Sequence, residues 1–396
     1  MAASGFVEVG SFQQAKHSER AAGDTLFTRR SDDDRRTICV LSDGLGSGVK
    51  AGVLSTLTAT MALRLMERNL PIEQAARAIM ETLPVCSTRQ ISYSTFTIVD
   101  ITSDGRARII EYDNPRLVFA RGGELRELDR RAVRITRPEG SEGCLYYSET
   151  DVNLEDRLIV MSDGVTQSGM GSPGYPLGWG EAGVRKLVSE KLAADPQVSA
   201  TQLARTLVNS AVQRDGTIAR DDISSLVIYY RSPRRLLVAT GPPYDNESDY
   251  RLAAAVREFP GRRVVAGGTT GNIVARELGT TPVIEMGMLD EKIPPYARME
   301  GVDLLTEGMV TLARVSELLD EHPEDAHAPR RENAATLFVQ HMMESDSIDI
   351  LVGTRVNQAH QDPRVPAQFE LRRTITQQIA TTLREKYLKK VSVSYL

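Results

Sequence analysis

Aromatic residues are scarce, 5% of the chain with one Trp, which leaves no row of rings on which nucleic-acid bases could stack. Histidine is scarcer, at five residues, and no His-x-x-x-His pair occurs. The three cysteines, Cys39, Cys86 and Cys144, are odd in number and share no short spacing, so neither a disulfide framework nor a zinc motif follows. Reduced thiols in a cytoplasm are the simple expectation. Positive charge is not in excess: 48 Lys+Arg stand against 53 Asp+Glu, a formal net charge of -5. A weakly acidic chain lacks the basic face that releases counterions from phosphates, which argues against nonspecific nucleic-acid binding. No apolar run approaches the ~20 residues of a membrane span. Met1–Ser11 has no basic segment followed by an apolar run, so no signal peptide is expected. The expectation is a soluble cytoplasmic protein that binds neither nucleic acid nor membrane.

What is present suffices for two cores. At about 100–200 residues per domain, the 396 residues predict two domains. Hydrophobic residues at 41% and charged residues at 26% are an ordinary globular balance. In the first 230 residues, Thr37–Ser42 (TICVLS) reads as a buried strand. Two helical stretches follow. In the first, from Ser47 to Arg68, Val49, Val53, Leu57, Met61 and Leu65 recur every four residues and predict one buried face. Asn69 and Pro71 stop it. The second, from Ile72 to Leu83, carries Ile72, Ala75, Ala76, Ile79 and Leu83 on one stripe and ends at Pro84. Strand candidates then crowd together: Tyr93–Ile101, Ala107–Tyr112, Arg116–Arg121, Glu124–Leu128, Leu158–Ser162 and Ser224–Tyr230. Turn chemistry at Ser103-Asp104-Gly105, Asp113-Asn114-Pro115 and Gly122-Gly123 separates several of them. A helix pair followed by a strand meander predicts an α+β sandwich rather than a βαβ repeat.

The boundary falls at Ser232-Pro233-Arg234-Arg235, giving domains 1–231 and 232–396. Beyond it strand, loop and helix alternate, which predicts a smaller open α/β, Rossmann-like domain. Its strands are Arg235–Thr240, Arg262–Ala266 and Ile348–Val352, with helices Ser248–Phe259 and Asn272–Leu278. His322–Arg331 reads as a polar loop or linker. The Gly-Thr-rich turn Gly267-Gly268-Thr269-Thr270-Gly271, between strand and helix, suits an anion at a helix N-terminus, although such turns are also common without a ligand. Thr240, Gly241, Gly353 and Thr354 end neighbouring strands and are secondary candidates, with Asn357, His360 and Gln361 nearby.

The chemistry-bearing signal lies in the first half. Asp43-Gly44 follows one apolar strand, Asp163-Gly164 follows another, and Asp221-Asp222 precedes a third; Asp24 precedes a short run at Thr25–Thr28. A lone Asp-Gly is ordinarily a tight turn, and Asp-Asp an ordinary strand start. The set is informative because every member sits at the rim of a buried strand, where carboxylates are poorly solvated and repel one another. Divalent cations compensate such a group, and oxygen-only ligands favour Mg²⁺ or Mn²⁺ over zinc.

Four segments, HSERAAGD (His17–Asp24), LSDGLGSGVKA (Leu41–Ala51), VMSDGV (Val160–Val165) and ARDDISSLVIY (Ala219–Tyr229), together with EYDNPRLVFARGG (Glu111–Gly123), closely resemble the stage II sporulation protein E family of metal-dependent, type 2C-like serine/threonine protein phosphatases. The resemblance covers about residues 5–230. It implies an αββα sandwich of two antiparallel sheets with metals in the cleft between sheet edges. It also implies a cofactor pair, two Mn²⁺ or Mg²⁺, with Asp43 bridging both ions and the Gly44 carbonyl on one. Asp163 and Asp221 would hold the other ion, Asp24 would act on the first directly or through water, and Asp222 would stand behind the ligands. Arg20 is near the place where the wider superfamily holds phosphate. The implied substrate is a small phosphorylated regulatory protein of the anti-anti-sigma type, dephosphorylated by metal-activated water.

Residues 236–396 carry no family resemblance. A regulatory domain with a small-molecule or anion effector is the economical reading, and a homodimer is compatible with it. Two other readings stay open: a catalytically silent signalling module of the same fold, and a bifunctional protein whose second domain acts on a small molecule. The Gly-rich turn Gly44–Gly48 is not a Walker A loop; its glycines are read as letting the backbone approach a metal and enter the helix.

Overall fold

The computed structural model describes residues 5–396 except 18, 20, 32–34, 47, 69–71, 83–93, 137–141, 286–292, 322–332, 356–364 and 388. The stop signals Asn69, Pro71 and Pro84, the helix ends at Ser47 and Leu83, Cys86 and the stretch His322–Arg331 lie outside the described residues. The chain divides into two compact units, Met1–Ser232 and Pro233–Leu396.

The first unit opens with β1 (Phe6–Gln14), β2 (Asp24–Arg30) and β3 (Arg36–Gly44), then α1 (Gly48–Glu67) and α2 (Ile72–Thr82). A meander follows: β4 (Ser94–Thr102), β5 (Arg106–Tyr112), β6 (Val118–Arg121), β7 (Glu124–Arg126), β8 (Arg131–Thr136), β9 (Glu142–Asp151) and β10 (Asp156–Met161). It closes with α3 (Asp163–Thr166), α4 (Gly180–Ala194), α5 (Ala200–Arg214) and β11 (Ile223–Arg231). The strands form two antiparallel sheets, in the orders β1-β11-β10-β6-β7 and β2-β3-β4-β5-β9-β8.

Period-two alternation explains why the central strands read as unbroken apolar runs. On β3, Cys39 and Leu41 face the second sheet and join Val99, Ile109, Val160 and Ile228 between the layers. Ile38 and Val40 face the other way, onto Ala59, Ala62 and Met66 of α1 and Ile79 of α2. On the other sheet Ile159 and Val227 meet Val188 of α4 and Leu203 and Leu207 of α5. The layers therefore run helix, sheet, sheet, helix, and both sheets are covered on both faces. Each large aliphatic side chain so buried contributes roughly 1.5–3 kcal/mol.

Three expectations are corrected. First, the four-residue stripe of α1 is not its buried face: Val49, Val53 and Leu57 are 73%, 61% and 49% exposed. The buried face is Ala51, Ser55, Thr58, Ala59, Ala62 and Met66. The cause is proximity, since a Cβ at Gly52 would lie 2.8 Å from the Ala22 carbonyl oxygen; only small residues fit so close to the neighbouring backbone. Second, the unit holds two further long helices, α4 and α5, beyond the pair read from the sequence. Third, β1, β8 and β9 were not among the strand candidates.

The second unit contains β12 (Arg235–Thr240), α6 (Asp249–Glu258), β13 (Arg262–Ala266), α7 (Gly268–Leu278), β14 (Val283–Ile284), β15 (Ala297–Met299) and β16 (Val302–Thr306). α8 (Met309–Asp320), α9 (Ala334–Met343), β17 (Ser347–Val352), α10 (Val365–Glu385) and β18 (Lys390–Tyr395) complete it. The parallel strands lie in the order β16-β13-β12-β17-β18, with β15 and β14 antiparallel on the β16 edge. Numbered along the chain, the five parallel strands follow the 3-2-1-4-5 order of a doubly wound sheet. Leu237 and Ala239 face α6 and α7, while Leu236 and Val238 face α8, α9 and α10, so this sheet too is covered on both sides. α7 begins at Gly268, four residues earlier than the expected Asn272. Among the described residues no helix is long and apolar enough to cross a membrane.

Candidate active site

Antiparallel pairing of β2 with β3 sets Asp24 directly opposite Asp43. Like charges in that position repel. β3 continues through Asp43 and Gly44, so these residues end a strand rather than a turn beyond it. The chain can then enter α1 only with glycine at 44, because a Cβ there would lie 2.1 Å from the Ala51 carbonyl oxygen. The second Ser-Asp-Gly repeats the device. Asp163 opens α3 immediately after β10, and a Cβ at Gly164 would lie 2.1 Å from the Asp222 carbonyl oxygen. Neither glycine has a positive φ, so both serve close backbone approach and not turn geometry.

Asp43, Gly44, Asp163 and Asp221 line one cleft of about 1140 Å³. Asp24 lies in contact with the same cluster and is only 5% exposed. Both its carboxylate oxygens lack a hydrogen-bond partner among the described residues. The hydroxyls of Ser162 and Ser224 stand beside it and favour its charged form; Ser162 Oγ donates to the Asp222 carbonyl at 3.4 Å, and Ser224 Oγ accepts from Gln13 Nε2.

Burial is the largest cause that raises the pKa of each of the four acids. For Asp24, the charges of Asp222 and Asp163 add to burial. For Asp43, Asp24, Asp163 and Asp221 all add to it, and Asp163 hydrogen-bonds the protonated carboxyl. For Asp163 the next cause is Asp221. For Asp221, burial is partly offset by the Asp222 backbone N–H and by Lys16. The carboxyls of this group therefore disfavour one another's charge.

Asp222 is used differently. Its Oδ1 accepts the Lys16 backbone N–H at 3.0 Å and its Oδ2 the Gly23 N–H at 2.8 Å, so it clasps the segment that leads into Asp24. An all-oxygen set with two orphaned buried oxygens suits a hard divalent cation such as Mg²⁺ or Mn²⁺. Among the described residues no three acidic, His or Cys side chains already close on one point as a ligand set; the acids share a cleft rather than a finished coordination sphere.

Several contributors were not among the expected site residues. Gln167 Nε2 donates to Asp163 Oδ2 at 2.7 Å and fixes that carboxylate. Asn114, read as part of a turn, accepts from Thr95 Oγ1 and donates to Thr97 Oγ1, bracing the strand beside Asp43. Glu111 accepts the Leu117 N–H and pairs with Arg130 at 2.9 Å. Lys16 lines the cleft as an isolated lysine, which no pattern marks. Arg20 lies outside the described residues.

The second unit places its candidates less openly. Gly268, Thr269, Thr270 and Gly271 form the first turn of α7, with Gly267 as its N-cap at φ 125°. Thr270 is buried, and a Cβ on Gly271 would lie 2.6 Å from Leu305 Cδ1, so two of the five residues serve packing. The segments after β12 and β17 close on each other: Gly353 N–H donates to Thr240 O at 2.8 Å and Arg355 N–H to Pro242 O at 3.1 Å. A Cβ on Gly353 would lie 2.1 Å from Pro242 O, and Arg372 Nη1 would stand 2.7 Å from one on Gly241. Thr354 N–H and Oγ1 both donate to Leu396 O. Asn357, His360 and Gln361 lie outside the described residues.

A family model described as Stage II sporulation protein E (SpoIIE) matches residues 33–231. Asp43, Asp163, Asp221 and Asp222 fall inside that range and Asp24 before it. No curated protein matches the chain. Among solved structures, the PP2C phosphatase domain with a fragment of the regulatory domain of SpoIIE from Bacillus subtilis is 19% identical, with a TM-score of 0.48 over 58% of this chain. The present chain spans 65% of the length of that one. The RsbU and RsbW domains of a Mycobacterium tuberculosis protein are 17% identical, with a TM-score of 0.46 over 65% of this chain and 68% of the other. The SiaA-PP2C domain of Pseudomonas aeruginosa is 18% identical, with a TM-score of 0.40 over 55% of this chain and 85% of its own.

Proposed function

Because the chain belongs to the stage II sporulation protein E family, we propose that its first unit is a metal-dependent phosphatase acting on phosphoserine or phosphothreonine. Its substrate is a small phosphorylated regulatory protein of the anti-anti-sigma type. One observation carries the reading: the buried Asp24 carboxylate, with neither oxygen partnered among the described residues, stands in a group of acids that raise one another. A cation is what such a group lacks.

Asp43, the Gly44 carbonyl, Asp163, Asp221 and Asp24 would hold two Mn²⁺ or Mg²⁺ ions. Bound there, such ions lower the pKa of water towards neutrality and neutralise phosphoryl charge. The chain's own residues do the rest. Asp222 holds the Lys16–Gly23 segment and so fixes the approach of Asp24. Gln167 orients Asp163. The open cleft admits a phosphorylated side chain, and Lys16 on its wall offers a cation to the phosphate. The second unit is proposed as the regulatory part.

Manganese-stimulated hydrolysis of p-nitrophenyl phosphate and of a phosphoserine protein tests this. Asp43→Asn and Asp163→Asn should each lower kcat by about 100-fold or more, since each removes charge from the metal site. Unchanged turnover in both variants rejects the assignment. A catalytically silent signalling module of the same fold is the second reading. It predicts no manganese-dependent turnover in the wild-type chain.

A further inference from the structure

The cleft carries charge that the metal-binding reading leaves unused. Asp113, Glu142 and Glu181 line it alongside the metal-site acids. They come from three places: Asp113 follows β5, Glu142 opens β9 and Glu181 lies in the first turn of α4. All three are exposed. None is ion-paired among the described residues. Of the described cations nearby, Arg130 pairs with Glu111 at 2.9 Å, and the exposed Arg116 points to Glu127 at 3.9 Å. Glu181 Oε1 accepts only the backbone N–H of Arg116, at 3.0 Å. Lys16, the other cation on the cleft wall, acts at the metal end, where its charge lowers the pKa of Asp221. One wall of the cleft thus carries three carboxylates with no ion pair among the described residues, and it is built from elements separate from the strand ends that carry Asp24, Asp43 and Asp221.

A phosphorylated segment brings a dianion into this space. Its phosphate is drawn to the metal end, but the residues on either side of it must lie against the acidic wall. Acidic flanks would be repelled there and basic flanks attracted, and the cleft's low-dielectric walls strengthen both effects. We propose that this wall selects phosphoserine or phosphothreonine segments with Lys or Arg close to the phosphorylated residue; the inference rests on the phosphatase reading above. Glu142 and Glu181 supply the selection, and Asp113, whose charge acts on Asp163, joins the wall to the metal site.

The test uses the full chain with manganese and three phosphoserine peptides of equal length, flanked by Arg, by Ala or by Glu. p-Nitrophenyl phosphate, which has no flanks, is measured in parallel. The Arg-flanked peptide should exceed the Ala-flanked one in kcat/KM by about fivefold and the Glu-flanked one by more. That preference should shrink as salt is raised, because the charges on the wall are exposed. In the double variant Glu142→Gln/Glu181→Gln it should fall below about twofold; Gln keeps the carbonyl that accepts the Arg116 N–H. Manganese-dependent p-nitrophenyl phosphate turnover without a basic preference overturns this inference and leaves the phosphatase reading standing. So does a preference that survives the double variant unchanged. Absence of any turnover removes both.

Discussion

At the scale of single residues, the two Ser-Asp-Gly motifs work as pairs: the acid faces the cleft and the glycine lets a second backbone come within contact. The glycine half is testable apart from the chemistry. Gly164→Ala places a methyl 2.1 Å from the Asp222 carbonyl, so the chain must shift; about 1–3 kcal/mol of stability should be lost in urea denaturation. Gly174→Ala is the control. It has open space around it and no positive φ, so it should be neutral or gain roughly 0.4–1 kcal/mol by restricting the unfolded chain. Equal losses at both positions would remove the close-approach explanation. The acids were legible because four of them sit at strand rims in a recurrent context. Lys16 was not, since an isolated polar residue acquires meaning only when folding sets it against a partner far away in sequence; Gln167 needed the α3 turn to bring it back onto Asp163, and Asn114, inside a segment already singled out, read only as a turn.

Among the elements, α1 shows why periodicity alone misleads. The stripe Val49, Val53 and Leu57 has the right spacing and the wrong face, because spacing does not say which side approaches another backbone closely. The buried side is rich in Ala, Ser and Thr, which a search for large apolar residues passes over. Val53→Ser should therefore change stability by less than about 0.5 kcal/mol. Ala62→Leu, fully buried against the sheet, should cost about 1–3 kcal/mol. Urea midpoints of the two variants decide it, and a larger loss at Val53 contradicts the packing described. α5 was readable yet unread. Ser199 and Gln202 form a capping box, and Leu203, Leu207 and Ala211 repeat at four-residue spacing behind it. The strands of the central layers were found readily, since burial on both faces makes them continuous apolar runs, whereas β8 and β9 alternate with polar residues and escaped.

For the whole molecule, two units with separate cores predict two thermal transitions, and the acid cluster predicts how one of them depends on pH. A carboxyl whose folded pKa is raised adds stability below the ordinary carboxylate range and loses it as pH rises through the folded value. Asp24 is pushed up to about 7, chiefly by burial, so metal-free protein should lose stability in its first unit between about pH 4 and pH 7. Manganese should restore it, raising that transition more at pH 7 than at pH 5, while Asp43→Asn weakens the effect. Scanning calorimetry with and without a chelator reads both transitions. A manganese shift that is independent of pH, or confined to the second unit, would contradict the site. The open α/β character of the second unit was visible in its first strands, but the 3-2-1-4-5 order was not, because strand order is decided by crossovers whose direction no local pattern encodes.

The clasp of Asp222 on the Lys16 and Gly23 amides has a practical corollary for anyone trimming this protein. A fragment cut to begin at residue 33, where the family match starts, would discard the edge strand Phe6–Gln14, both amides and Asp24 together. It would keep three of the four acids yet strip the Asp222 carboxylate, at the root of Ile223–Arg231, of both backbone N–H donors. The shortest useful catalytic piece therefore has to start ahead of Phe6.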